Sequence, residues 1–476
     1  TGQADALIIA LSNLIQRLVI DRLHIVGDIF DRGPGAHIIL NRLLHYHNVD
    51  VQWGNHDVLW MGAAAGSRAM IATTVINSLK YGNVDSIEDG YGISLSPLVT
   101  FALNTYADDP CTRFLPREVG GAGHANADLI AKMHKAMAVI LFKLEGQIIQ
   151  NNPEFGMEHR AMLHRIDYEN GTVTLANGET YPLADTRFPT VLPSDPYTLS
   201  EAENELIDKL RTAFHHSERL QEHVRFLFSH GSMYLVCNGN LLFHGCVLLN
   251  EDGTMRSVNY RGQELRGRGW FDYCDRMARE AYLHHSQEAV DFMYFLWCGR
   301  LSPVSGREFK TFERAFITDE STWKEPSDPY FKYINSEETC AMVLQEFGLD
   351  SKRGHIINGH VPVKVKKGET PVKAGGKAII IDGGFCKAYH SKTGISGYTL
   401  ISNSRGLRLL QHQKIADVRE ALKENQDIES VSETVELQTC RTTLGDTDEG
   451  KLIQDEITDL YNLLLAYQNG LIKPQE

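Results

Sequence analysis

The chain has 476 residues, 42% of them hydrophobic and 23% charged, and carries a formal net charge of -14. That length fits two or three packing units or one large domain with insertions. No apolar run approaches the roughly 20 residues of a membrane span, and the negative balance opposes nonspecific attraction to nucleic acid or anionic lipid, so neither is expected as a partner. An anionic substrate would have to be drawn by a local cationic feature such as bound metal. Eight cysteines without a Cys-x-x-Cys pair or regular spacing argue against a zinc ribbon or a secreted disulfide scaffold and point to the cytoplasm.

The chain opens with Thr1-Gly2-Gln3. From Ala6 to Ile20 it places Leu7, Leu11, Leu14, Ile15 and Leu18 at helical spacing, which predicts an amphipathic helix rather than a signal peptide. The run Leu23 to Val26 then reads as a buried strand, Pro34-Gly35 opens a helix with Ile38, Ile39, Leu43 and Leu44 on one face, and Val49 to Trp53 reads as the next strand. This βαβ unit predicts a parallel pair with a right-handed crossover. A long, mostly helical insertion follows, clearest at Leu129 to Leu144, with a small β excursion in Met157 to Pro182 because Val173-Thr-Leu175 precedes the turn pair Asn177-Gly178.

Three later runs repeat the order strand, then polar loop: Asn240 to Phe243 before His244-Gly245, His355 to Ile357 before Asn358-Gly359-His360, and Ala378 to Ile381 before Asp382-Gly383-Gly384. Ser257 to Phe347 reads as aromatic-rich and helical, and the end from Ala416 onward as two helices joined around Asp446-Thr-Asp448. The expected fold class is α/β, with residues 1–61 and 236–415 as a core, 62–235 as an insertion or cap, and 416–476 as a helical tail.

Two short runs carry the chemistry: Gly27-Asp28-Ile-Phe-Asp31-Arg32-Gly33 and Gly54-Asn55-His56-Asp57, each after a predicted strand. In open α/β sheets ligands collect at the carboxyl ends of strands. A dinuclear hydrolase needs a carboxylate bridging two cations about 3.5–4 Å apart, with neutral ligands completing each site. Asp28 is positioned for the bridge, Asn55 offers a carbonyl oxygen, and His244 and His360 offer imidazole nitrogens, a mixed donor set that suits manganese, iron or zinc. Asp-x-x-Asp-Arg-Gly alone is equally a turn, and a lone histidine is more often structural. Two such clusters one βα unit apart are hard to explain that way. Asp382 stays open between a site role and the Gly383-Gly384 turn.

These residues together resemble the calcineurin-like metallophosphoesterases. The flanking text, Val51 to Gly62, Asn358-Gly-His-Val-Pro-Val363, Ile381 to Phe385 with Ala388-Tyr389, and Gly394 to Leu400, is similar to the class III fructose-1,6-bisphosphatases of bacteria over nearly the whole chain. The resemblance implies a metallophosphoesterase core and hydrolysis of the 1-phosphate of fructose 1,6-bisphosphate, a gluconeogenic step, with Mn2+ as the usual cation ahead of Fe or Zn. It implies that Asp28 bridges, that Asn55, His244 and His360 bind the second metal, that His56 and Asp31 form the acid pair, and that Arg32 holds phosphate oxygens. Family members also carry an upstream Asp-x-His motif that nothing before Asp28 matches: Asp21-Arg22-Leu23-His24 has the wrong spacing. The chain is therefore expected to lack an amino-terminal strand.

A bisphosphate needs a second anion site, and the stretch Tyr260 to Gly269, with Arg261, Arg266 and Arg268 among glycines, is the expected one. Lys364, Lys366 and Lys367 read as a solvated basic face. A protein or dinucleotide phosphatase with the same core, and a noncatalytic binding module, stay open as alternatives, as does a homo-oligomeric state.

Overall fold

The computed structural model describes residues 2–117, 126–382, 384–386, 389, 393, 397–413, 420, 423–424 and 430–472. Helix α1, Ala4–Val19, forms where expected, yet none of its side chains is buried. Strand β1, Leu23–Ile25, pairs in parallel with β2, Val49–Gln52, in the register Leu23 to Val49. Between them, α2, Ala36–Leu43, buries Ala36, Leu40 and Leu43, whereas Ile38 and Ile39 of the expected face are exposed. Three consecutive apolar residues do not define a face, and the spacing of four and three from Ala36 is the one that selects it.

β2 also pairs in parallel with β6, Gly231–Ser232, so the first sheet regains a strand beyond the long helical segment. The small antiparallel sheet of β3, Ile166–Asp167, β4, Thr172–Thr174, and β5, Thr180–Pro182, turns at Asn177-Gly178 as the sequence suggests. A second sheet has the order β12 (Val372–Lys373), β13 (Ala378–Ile380), β11 (Ile356–Asn358), β8 (Asn240–Phe243), β7 (Tyr234–Cys237). Its β8, β11 and β13 are parallel, with antiparallel strands at both edges. The polar residues that follow β1, β2, β8, β11 and β13 thereby gather at the same strand ends.

Helices α3, Asn55–Ala64, and α4, Arg68–Tyr81, are buried almost throughout and lead into the helical segment that contains Ala127–Asn151. One continuous apolar cluster runs from Phe30 to Ala378 and takes in both this segment and the strands around the site. Charges buried there are matched: Lys135 bonds Asp109 (2.5 Å) and Asp185 (2.7 Å), Lys143 bonds Glu203 (2.7 Å), and Arg160 bonds Glu145 (2.6 Å). Such pairs fix geometry more than they add stability.

Two further expectations need correction. Ser257–Tyr260 and Gln263–Arg266 form a hairpin, β9 and β10, and helix Gly267–Leu283 starts at once, so the arginine stretch is not an open loop. Beyond Ala416, itself outside the described residues, Ser430–Leu437 is strand β16 rather than helix, because β15, Gly406–His412, already paired with β14, Gly397–Asn403, offers a free edge to a segment that carries the β-branched residues Val431, Thr434 and Val435. The final helix, Asp448–Gln468, does form, with the Thr447 side chain accepting from the Gly450 amide (3.0 Å). Among the described residues no helix is long and apolar enough to cross a membrane.

Candidate active site

The backbone around the motif residues is held in an uncommon conformation. Asp28, Arg32 and His360 have φ of 60°, 50° and 69°, a region that side chains other than glycine rarely occupy and that concentrates at functional sites. Two glycines make the turn passable. A Cβ on Gly27 would sit 2.6 Å from the Gln52 oxygen and 2.7 Å from His244 Nδ1, and one on Gly54 would sit 2.1 Å from Asp28 Oδ1.

Asp57, on the first turn of α3, ties the two motifs together. Its carboxylate accepts from the amides of Asp28 (2.7 Å), Gly54 (2.9 Å) and Phe30 (3.4 Å), and the His56 amide donates to Asp28 Oδ1 (3.0 Å). Around the other Asp28 oxygen the expected ligands converge. His244 Nε2 lies 3.3 Å from Asp28 Oδ2, His360 Nδ1 lies 3.2 Å from His244 Nε2, and Asn55 Oδ1 lies 3.1 Å from the same His360 nitrogen. His244 Nδ1 donates to the Val26 carbonyl (2.7 Å), an orienting bond of the kind that fixes a metal-binding imidazole.

Electrostatics agree with the geometry. Burial pushes the Asp28 carboxyl up, but the imidazoles of His244, His56 and His360 outweigh it and hold the group well below the usual carboxylate range. Burial lowers His244, yet the Asp28 carboxylate more than compensates and lifts it to about 9, while burial and then the facing His244 hold His360 well below its ordinary value. Two imidazoles whose facing nitrogens lie 3.2 Å apart cannot both be cationic cheaply. A divalent cation removes the conflict, since it takes neutral nitrogens and carboxylate oxygens together. The donor set thus fits a metal, and Asp28, His244 and His360 offer atoms within 4.8 Å of one another.

Asp28, Asp31 and His56 form a second such group. His56 Nε2 lies 3.0 Å from Asp31 Oδ1, Arg32 Nε lies 3.2 Å from the same oxygen, and the Tyr389 hydroxyl donates to Asp31 Oδ2 at 2.5 Å. The His56 ring meets Trp297 edge-on at 5.1 Å, and the Arg32 guanidinium lies over the rings of Tyr389 (4.7 Å) and Tyr81 (5.2 Å). Asp382 makes the turn bond left open for it, Oδ1 accepting from the Gly384 amide (3.1 Å), and burial, then the Asp28 charge, raises its carboxyl to about 7.

Arg261 does not join these residues. It sits at the tip of the β9–β10 hairpin, bonded to Glu154 (3.2 Å) and Glu288 (2.5 Å), so its charge is already answered. His24 is held by Asp50 at 2.8 Å and takes no part either. Four residues not singled out from the sequence do belong here: Asp57 as anchor, Tyr389 on Asp31, Trp297 on His56, and Arg307, whose Nε is buried without a partner and whose charge faces His360. Asp57 and Tyr389 lie within the motif segments, but nothing local marks Trp297 or Arg307.

A family model described as Firmicute fructose-1,6-bisphosphatase matches residues 1–469. The chain belongs to the class 3 fructose-1,6-bisphosphatase family. A class 3 fructose-1,6-bisphosphatase of Clostridium tetani (strain Massachusetts / E88) is 50% identical over 479 residues, covering 99% of this chain and 72% of the relative. The Bacteroides fragilis (strain YCH46) class 3 fructose-1,6-bisphosphatase is 52% identical over 482 residues, with the same two coverages. No solved structure matches the chain. Because the class 3 fructose-1,6-bisphosphatase match is continuous, it takes in the site residues, the helical segment and the final helix alike.

Proposed function

We propose that the chain hydrolyses the 1-phosphate of D-fructose 1,6-bisphosphate to D-fructose 6-phosphate and inorganic phosphate, a gluconeogenic step, on a calcineurin-like metallophosphoesterase core using manganese in the cytoplasm. The convergence of Asp28, Asn55, His244 and His360 from four separate strand ends is the observation that carries this reading. The family's name supports the substrate, and the irregular cysteine spacing of the sequence supports the compartment.

Asp28, Asn55, His244 and His360 would hold one cation, with Asp28 shared by a second. When bound, divalent ions polarise water and offset the charge of the phosphate dianion that would otherwise repel a nucleophile. Arg32 presents a planar fork matched to phosphate oxygens, and the pairing with Asp31 and the flanking tyrosine rings pre-set its direction. The sugar alkoxide is a poor leaving group, so it needs a proton as the bond to phosphorus breaks. The His56–Asp31 pair, with Asp31 itself fixed by Tyr389, would be its source.

The test is a panel of fructose 1,6-bisphosphate, a phosphopeptide and a dinucleoside polyphosphate with added manganese, on wild type and Asp28→Asn. The bisphosphate should be the preferred substrate, and Asp28→Asn should lower turnover by at least about 100-fold, the scale of losing a principal electrostatic element, with unchanged circular dichroism. Preference for another substrate, or turnover that survives in Asp28→Asn, would refute the assignment.

A further inference from the structure

Helix α4 is buried almost throughout, yet one stripe of it is polar. Thr74, Asn77 and Ser78 stand at spacings of three and four in the helix, which puts them on one face. That face lines a cavity to which Arg32 and His56 also contribute. Asp28, Asn55, His244 and His360 do not border it, so the cavity lies on the Arg32 and His56 side of the site rather than among the proposed metal ligands. Its volume is about 30 Å3, enough for water-sized groups such as a hydroxyl and too small for a sugar ring.

Two polar groups on this stripe go unanswered. Thr74 is 1% exposed, and neither its Oγ1 nor Asn77 Nδ2 has a hydrogen-bond partner among the described residues. Their neighbours are all paired. Thr73 Oγ1 donates back to the Ala69 carbonyl (2.8 Å), Asn83 Nδ2 donates to the Arg32 carbonyl (2.8 Å), and Ser86 Oγ donates to the Pro34 carbonyl (2.9 Å). A buried hydroxyl or amide left unpaired is costly and uncommon, and such exceptions are expected where a ligand completes the bond. The walls are firm: the Asn83 and Ser86 bonds tie the segment after α4 to the motif turn, and Phe30 stacks on Trp60 at 4.7 Å.

We infer that Thr74 and Asn77 are specificity residues that bind the sugar hydroxyl nearest the reacting phosphate, the anomeric hydroxyl of fructose 1,6-bisphosphate. The inference rests on the bisphosphatase reading. In that reading Arg32 holds the phosphate and the His56–Asp31 pair meets the oxygen that leaves it. The anomeric carbon is joined to that oxygen through a single methylene, so its hydroxyl is the first polar group of the sugar to reach a cavity that Arg32 and His56 line. One hydroxyl satisfies both residues, accepting from Asn77 Nδ2 and donating to Thr74 Oγ1. The stripe carries no charge, which suits a hydroxyl rather than the second phosphate.

The test compares fructose 1,6-bisphosphate with 2,5-anhydro-D-mannitol 1,6-bisphosphate, which lacks that hydroxyl, on the metal-loaded enzyme. Wild type should prefer the ketose by about three- to tenfold in kcat/KM, the range of one or two neutral hydrogen bonds. Thr74→Val and Asn77→Ala should each lower kcat/KM for the ketose by about that factor and treat the two bisphosphates nearly alike, and Thr74→Ser should recover the preference. Because the Thr74 hydroxyl is unpaired before substrate binds, Thr74→Val should melt no lower than wild type. A wild type that does not distinguish the two bisphosphates, variants that lose as much on the analogue as on the ketose, or a Thr74→Val protein that melts several degrees lower would overturn the assignment. A wild type that ignores both bisphosphates would instead sink the functional reading beneath it.

Discussion

His56 offers the sharpest test at the scale of single residues, because its proposed task matters only when the departing oxygen is a poor leaving group. Its Nε2 is 3.0 Å from Asp31, and its ring is braced by Trp297. Proton donation of this kind contributes typically 10²–10⁴-fold, so His56→Ala should slow the sugar phosphate by about that factor while slowing p-nitrophenyl phosphate tenfold or less. Steady-state assays of both substrates decide it, and matched losses would mean that His56 binds phosphate rather than donating a proton. The residues that could be read from the chain, Asp28, Asn55, His56, His244 and His360, announce themselves through local order: strand, glycine, polar side chain. Tyr389 reaches Asp31 across 358 positions, and Arg307 faces His360 from a different loop, so no window of sequence contains the evidence for either. Arg261 misled for the complementary reason. Arginines among glycines look like an anion cradle until the fold supplies Glu154 and Glu288 as partners.

At the scale of elements, the β1–β2 pair carries a side-chain clasp whose strength depends on pH. His24 on β1 faces Asp50 on β2 at 2.8 Å, and Arg22 (2.8 Å) and Gln52 (2.7 Å) hold the same carboxylate. Burial lowers the His24 imidazole, but the bonds to Asp50 and Cys237 override it and lift the group to about 9, against an ordinary 6.5. A folded value above the unfolded one means that the stabilisation is complete below about pH 6.5 and is lost as pH rises through about 9. Urea unfolding of the metal-loaded protein should lose about 1–3 kcal/mol more over that window in wild type than in His24→Gln. Parallel pH profiles for the two proteins would remove the clasp. Elements whose pattern is self-sufficient were legible in this way, the βαβ unit and the Asn177-Gly178 turn among them. The α2 face and strand β16 were not, since each depends on what lies opposite: a core for Leu40, a free β15 edge for Ser430–Leu437.

Across the whole molecule, the proposed ligands join segments from residue 28 to residue 360 and tie the first sheet to the second. Without a cation, the cluster relies on a proton shared among groups that burial otherwise disfavours: His244 is raised to about 9 by Asp28 while His360 is driven down beside it. A cation that binds only the folded chain should therefore stabilise the entire cooperative unit by mass action, by about 2.7 kcal/mol at a concentration 100 times its Kd. In a thermal melt that corresponds to a rise of several degrees, given roughly 2–4 °C per kcal/mol for domains of 150–250 residues and less for larger ones. Manganese added to chelator-treated protein should raise Tm by this amount. Asp28→Asn and His360→Ala should each abolish most of the increment, even where they melt near the chelated wild type. The same series should leave Arg261→Ala fully responsive, because its two carboxylate partners hold it apart from the cluster. Coincident melts with manganese and with chelator in the wild type would mean that these strand ends meet for a reason other than metal.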